Sequence, residues 1–164
     1  MKGHRREFEP IGREQLLQEL VHDSYKAGHK LPDPTRCPDC GAVFQVGRWV
    51  WGTAPAGVHE ERCPACRRIH DKYPAGFVML KGAFLQQHRD EILHLMRNHE
   101  AKEKAEHPLQ RIMAIVDSAE GVTVTTTDTH LAHAIAHALH QAYKGALEFH
   151  YNKEDNLLRA TWAR

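Results

Sequence analysis

The spacing of apolar residues changes along this chain, and each change marks an element. Leu16, Leu17, Leu20 and Val21 recur at helical intervals and predict a short amphipathic helix over 12–23. The stretch from Lys26 to Arg36 holds Gly28, Pro32 and Pro34 and reads as loop. Val43 to Val46 and Arg48 to Trp51 are rich in β-formers. Gly52 to Gly57 reads as a loop tip, Val58 to Arg62 as a returning strand, and Tyr73-Pro74-Ala75-Gly76 as a break.

From residue 77 onward the pattern is that of a second unit. Phe77 to Leu80 predicts a short strand, and a helix follows over 83–104 with Phe84, Leu85, His88, Ile92, Leu95 and Met96 inward. Pro108 stops anything continuing from it. Ile112 to Val116 is an apolar strand, Glu120-Gly121 a turn, and Val122 to Thr127 a β-branched strand. Asp128 is a good N-cap for a helix over 129–144, whose stripe is Leu131, Ile135, Ala138, Leu139 and Ala142. Gly145 stands where a C′ glycine belongs. A hairpin of Ala146 to Tyr151 and Leu157 to Trp162 ends the chain. The order βαββαββ, or αββαββ without the short first strand, predicts a two-layer domain, an antiparallel sheet with two helices on one face.

The cysteines give the first half its purpose. Cys37-Pro38-Asp39-Cys40-Gly41 and Cys63-Pro64-Ala65-Cys66 are the only ones, and 22 residues separate the pairs. Two CxxC turns that aim four thiolates at one point suit tetrahedral Zn²⁺. Pro after the first cysteine presets the turn, and Gly41 supplies the permissive backbone after the second. A closed Cys₄ set leaves no position for water or substrate, so the expected ion is one structural zinc. A redox pair is disfavoured because no thioredoxin-like βαβ unit surrounds either motif. The predicted class is therefore α+β. Residues 1–36 form an amino-terminal arm with a short helix, 37–76 a Cys₄ zinc ribbon of two knuckles joined by a hairpin, and 77–164 an α+β domain.

Composition changes this picture little. The chain has 164 residues, 26% charged and 41% hydrophobic, which is globular. Its net charge of +1 means that any nucleic-acid contact must come from a local patch. No stretch is apolar enough to span a bilayer, and the first residues lack the apolar core of a signal peptide. The expected location is cytoplasmic, where paired cysteines serve as metal ligands rather than disulfides.

Two basic groupings are candidate contacts for RNA or another partner. Arg62, Arg67, Arg68, His70 and Lys72 cluster around the second cysteine pair, as phosphate binding requires. Glu60, Glu61 and Asp71 lie close enough in sequence to neutralise them. Arg48 and Trp49 add a cation and a stacking surface on a ribbon strand, although Trp49 and Trp51 also suit covering the small ribbon core. His130, His133, His137 and His140 recur within a band of about 80° on one helix. No cysteine or carboxylate joins that stripe to complete a metal site, so it reads as a solvated face, with a partner- or RNA-binding face that strengthens at mildly acid pH as the alternative. There is no P-loop, no G-x-S-x-G and no HExxH, and the expectation is a protein that is not an enzyme and has no small-molecule substrate.

Three segments carry a resemblance. Cys63 to Gly76, His88-Arg89-Asp90-Glu91-Ile92, and Thr126-Thr127-Asp128-Thr129-His130-Leu131-Ala132 resemble a little-characterised bacterial family of small zinc-ribbon proteins. The likeness covers roughly residues 30–164 by motif order. That family is in turn remotely similar to the amino-terminal region of the large-ribosomal-subunit export adaptor of archaea and eukaryotes. The resemblance implies a binding role facing RNA, above all rRNA on the ribosome, with a ribosomal protein as a further candidate partner. A ribbon that docks a protein, as an adaptor or regulator, is the alternative.

Overall fold

The computed structural model describes residues 9–11, 25 and 29–164, with the backbone alone for 9–11. The helix expected over 12–23 lies outside the described residues. Among the described residues, two sheets and four helices make a mixed α and β architecture.

The smaller sheet holds the cysteines. Its strands are β2 (Thr35–Arg36), β3 (Val43–Gln45), β4 (Arg48–Val50) and β5 (His59–Glu60), in the order β4-β3-β2-β5. The hairpin β3–β4 pairs Phe44 with Trp49. Thr35–Arg36 precedes the first cysteine and zips to Val43–Phe44, so the sheet starts before residue 37. The returning strand is reduced to two residues, parallel to β2.

The second cysteine pair is where expectation and structure part. It does not form a second hairpin knuckle. Cys63 is the N-cap of a helix, α1 (Pro64–Asp71), and Cys66 sits in its first turn. Pro64 suits the first helical position because its missing N–H has no intrahelical partner there anyway. The helix ends on Lys72 in the left-handed region, whose N–H reaches back to Arg68 and Ile69.

The larger sheet runs in the order β1-β9-β10-β6-β8-β7, with β1 (Glu9–Ile11), β6 (Gly76–Lys81), β7 (Ile112–Ser118), β8 (Gly121–Thr126), β9 (Ala146–Asn152) and β10 (Leu157–Ala163). One pair corrects the antiparallel expectation: β10 runs parallel to β6, with Leu158 opposite Gly76 and Ala163 opposite Lys81. The carboxy-terminal hairpin therefore docks by its second strand on the edge of β6 that β8 leaves open. The burial of β6 alternates along its length, and Val78 and Leu80 face the core.

Three helices complete this unit. The predicted 83–104 helix is interrupted at His88, giving α2 (Ala83–Gln87) and α3 (Arg89–Glu106). At the break His88 stacks on Phe84 at 4.1 Å and bonds Glu91 at 3.1 Å. The last helix, α4 (Thr129–Tyr143), starts at Asp128, whose carboxylate accepts from the Leu131 N–H at 3.0 Å. Its face of Leu131, Ile135 and Leu139 joins Val78, Leu80, Val124, Phe149, Leu158 and Trp162 in one core. Close approach is possible because Gly76 has no side chain: a Cβ there would lie 2.4 Å from that of Ala132. No described helix is long and apolar enough to cross a membrane.

Candidate metal centre and adjoining cleft

The first CxxC turn is closed by backbone bonds. The Cys37 N–H donates to Ala42 O at 2.8 Å, and Gly41 N–H donates to Cys37 O at 2.9 Å. Gly41 adopts φ +80°, a conformation that side-chain-bearing residues rarely take. The turn leaves Sγ of Cys37 and Cys40 pointing at the start of α1. There the Cys63 N–H donates to Cys37 Sγ at 3.3 Å, and the Cys66 N–H to Cys63 Sγ at 3.4 Å.

The four sulfurs lie within 4.8 Å of one another. None is in a disulfide. Cys40 Sγ and Cys63 Sγ are 3.8 Å apart. A tetrahedron with metal–sulfur distances of about 2.3 Å has edges of about 3.8 Å, so the set has the dimensions of a tetrathiolate site. Four cysteines are thus positioned to hold one metal ion. The buried cluster beside the small sheet is Cys37, Ala42, Cys63, Ala65 and Cys66, so three of its five members belong to the cysteine set.

Sequence reasoning missed the residue that completes this site. Arg111, only 8% exposed, enters from the second unit just before β7. Its guanidinium donates to Cys40 Sγ at 3.1 Å, Cys66 Sγ at 3.2 Å and Cys63 Sγ at 3.5 Å. Its Nε donates to Pro108 O at 2.8 Å. Burial opposes the charge, yet the bond to Cys66 and the pull of Cys40 and Cys63 hold Arg111 above the ordinary arginine range. The Cys40 thiol is pushed down to about 4, first by its bond with Cys63 and also by Arg111, while Cys63 moves up by the same bond and by burial. The sequence holds no local sign of this. An arginine that opens an apolar strand is unremarkable, and the sulfurs it meets are 45 to 71 residues away.

The predicted contact residues divide into two groups. Arg48, Trp49, Arg62 and Arg67 line one cleft of about 620 Å³ between the small sheet, the start of α1 and the segment after α3. His29, Lys30, Phe44 and His107 share its wall, as do the acids Glu61, Glu106 and Asp128. Arg62 pairs with Asp39, and Arg67 with Glu61 at 3.3 Å. Arg48 has no ion pair among the described residues. Trp49 meets Phe44 edge-on at 5.6 Å and packs on the cysteine core, so it serves the ribbon and the cleft together.

The other group does not meet there. Arg68 is 1% exposed and turned inward: it donates to Tyr73 O at 3.1 Å and lies over the Tyr25 ring at 4.4 Å. A side chain buried on the inner side of α1 cannot reach an external phosphate. His70 bonds Asp71 at 3.0 Å, and Lys72 is exposed past the helix end, away from the cleft. Trp51 is spent on the second unit, with Nε1 donating to Lys104 O at 2.7 Å. The histidine stripe is not the solvated face expected: His130 is exposed, but His133, His137 and His140 are half-buried, and His133 stacks on Phe149 of β9 at 4.5 Å.

Comparisons with protein-family models, with curated proteins and with solved structures find no match to this chain.

Proposed function

We propose that this chain is a non-enzymatic cytoplasmic protein that uses one structural zinc to scaffold a binding site for single-stranded RNA, with rRNA on the ribosome as the partner implied by its family resemblance. Four sulfurs and no oxygen or nitrogen ligand favour zinc over the hard cations, which take oxygen. All four positions of the ion would be filled by protein, which leaves it a structural part.

The observation that carries the RNA reading is the cleft. It gathers Arg48, Arg62, Arg67 and Lys30 around Trp49 and Phe44. Cations meet phosphate, and an aromatic face stacks an unpaired base. Its volume is in the range that seats one small-molecule-sized group, so it suits a splayed nucleotide rather than a duplex. Arg62 and Arg67 are held by acids on one side, which orients them in the cleft. Arg48, on the hairpin, and Lys30 have no ion pair among the described residues and are the cations left for phosphate.

Binding of labelled single-stranded rRNA fragments across a salt series, together with ribosome co-sedimentation, tests this. The expected result is affinity that falls steeply with salt, and loss of both signals in the Arg48→Ala/Arg67→Ala double variant. No salt-sensitive RNA affinity and no ribosome association would reject the reading. A protein captured without RNA would favour the adaptor alternative.

A further inference from the structure

Arg111 meets the cysteine sulfurs directly, and the residues just before it, Pro108, Leu109 and Gln110, line the cleft. We infer that Arg111 is the positioning residue through which metal occupancy sets the shape of the cleft, an inference that rests on the metal reading above. A divalent ion with four thiolates carries a net charge of −2, and a guanidinium with N–H groups on three of the sulfurs is its counter-ion. No carboxylate pairs with Arg111 among the described residues, so the sulfurs are the anions that justify burying this charge. Donors to ligand atoms from the next layer out orient the ligands and tune the metal.

The backbone around Arg111 transmits that contact. Its Nε holds Pro108 O, its own N–H donates to Thr127 Oγ1 at 3.0 Å, and its carbonyl accepts from the Thr127 N–H at 2.9 Å. Thr127 Oγ1 donates in turn to Leu109 O at 2.6 Å. Pro108, Leu109 and Gln110 are a wall of the cleft, and Leu109 also packs on the cysteine core. With the ion bound, the sulfurs are gathered and Arg111 is docked, so the wall stands. Without it, the first turn and the start of α1 separate. The guanidinium then loses its three acceptors, and the 106–111 segment loosens.

Cobalt(II) substitution with hydrogen exchange tests this on the full chain as wild type, Arg111→Met and Arg111→Lys. Wild type should give the absorption of a tetrahedral thiolate site. Arg111→Met should bind about 10- to 100-fold more weakly in chelator competition. Its sulfur-to-cobalt band should move to lower energy, because the sulfurs have lost donors. Arg111→Lys, which keeps the charge but not the fork, should fall between them. Peptides covering 104–112 should exchange faster in metal-loaded Arg111→Met, as in metal-stripped wild type. Unchanged affinity and band in Arg111→Met overturn the inference, as does exchange over 104–112 that ignores metal removal. If Arg111→Met does not fold, Arg111→Lys decides by the same affinity and band. A wild type that binds no cobalt fails the metal reading first, and the inference falls with it.

Discussion

The amide of Cys66 donates to Cys63 Sγ at 3.4 Å, so one cysteine caps the helix that carries the next. Ligand placement and helix initiation are therefore one event. A bound ion draws the sulfur that also satisfies an orphan helix donor. Replacing Cys63 with Ala should abolish metal binding and also remove the cap, worth about 1 kcal/mol. Cys37→Ser removes a ligand but leaves α1 capped. Metal content and urea unfolding should show Cys63→Ala as the more destabilised of the two.

Chelation should unfold the chain in two parts. The small sheet has little core beyond its cysteines, whereas the second unit is built on a large apolar cluster with Trp162, Phe149, Ile135 and Leu139 at zero to one per cent exposure. On removal of the metal, near-ultraviolet signals from Trp49 and Trp51 should change while the main thermal transition persists. A single cooperative loss of both parts would contradict this division.

Arg68 and Arg48 should behave in opposite ways. Arg68→Ala leaves the Tyr73 carbonyl without its donor and strips packing from Tyr25, at a cost on the order of 2 kcal/mol. Its RNA affinity, measured on the folded fraction, should stay near that of wild type. Arg48→Ala should leave the unfolding midpoint unchanged and lower the salt dependence of RNA binding by about one phosphate contact.

Gly76 tests how closely α4 sits on the sheet. A methyl group at this position would meet Ala132 and Thr126 at 2.4 Å. Gly76→Ala should destabilise by roughly 1–3 kcal/mol through overpacking, read as a lower denaturation midpoint with metal content unchanged.

The residues show why some of this was legible in the sequence and some was not. Periodicity located α4, because Asp128 caps it and Leu131, Ile135 and Leu139 share one face. The cysteine spacing located the four-thiol cluster, because a CxxC turn is a local object. What failed depended on distant partners. Nothing in Cys63-Pro64-Ala65-Cys66 separates a hairpin knuckle from a helix start, apart from Pro64 at the first helical position. The parallel pairing of β10 with β6 joins strands more than 80 residues apart along the chain. Arg68 looked like its neighbour Arg67, and only tertiary packing turns one in and the other out. Arg111 meets sulfurs across the whole length of the middle of the chain.

Native mass spectrometry with thiol alkylation tests the central claim most directly. The account predicts one zinc ion per chain, four thiols shielded from alkylation while it is bound, and all four reactive once a chelator removes it. A chain that carries no zinc, or whose thiols react freely before chelation, would contradict it.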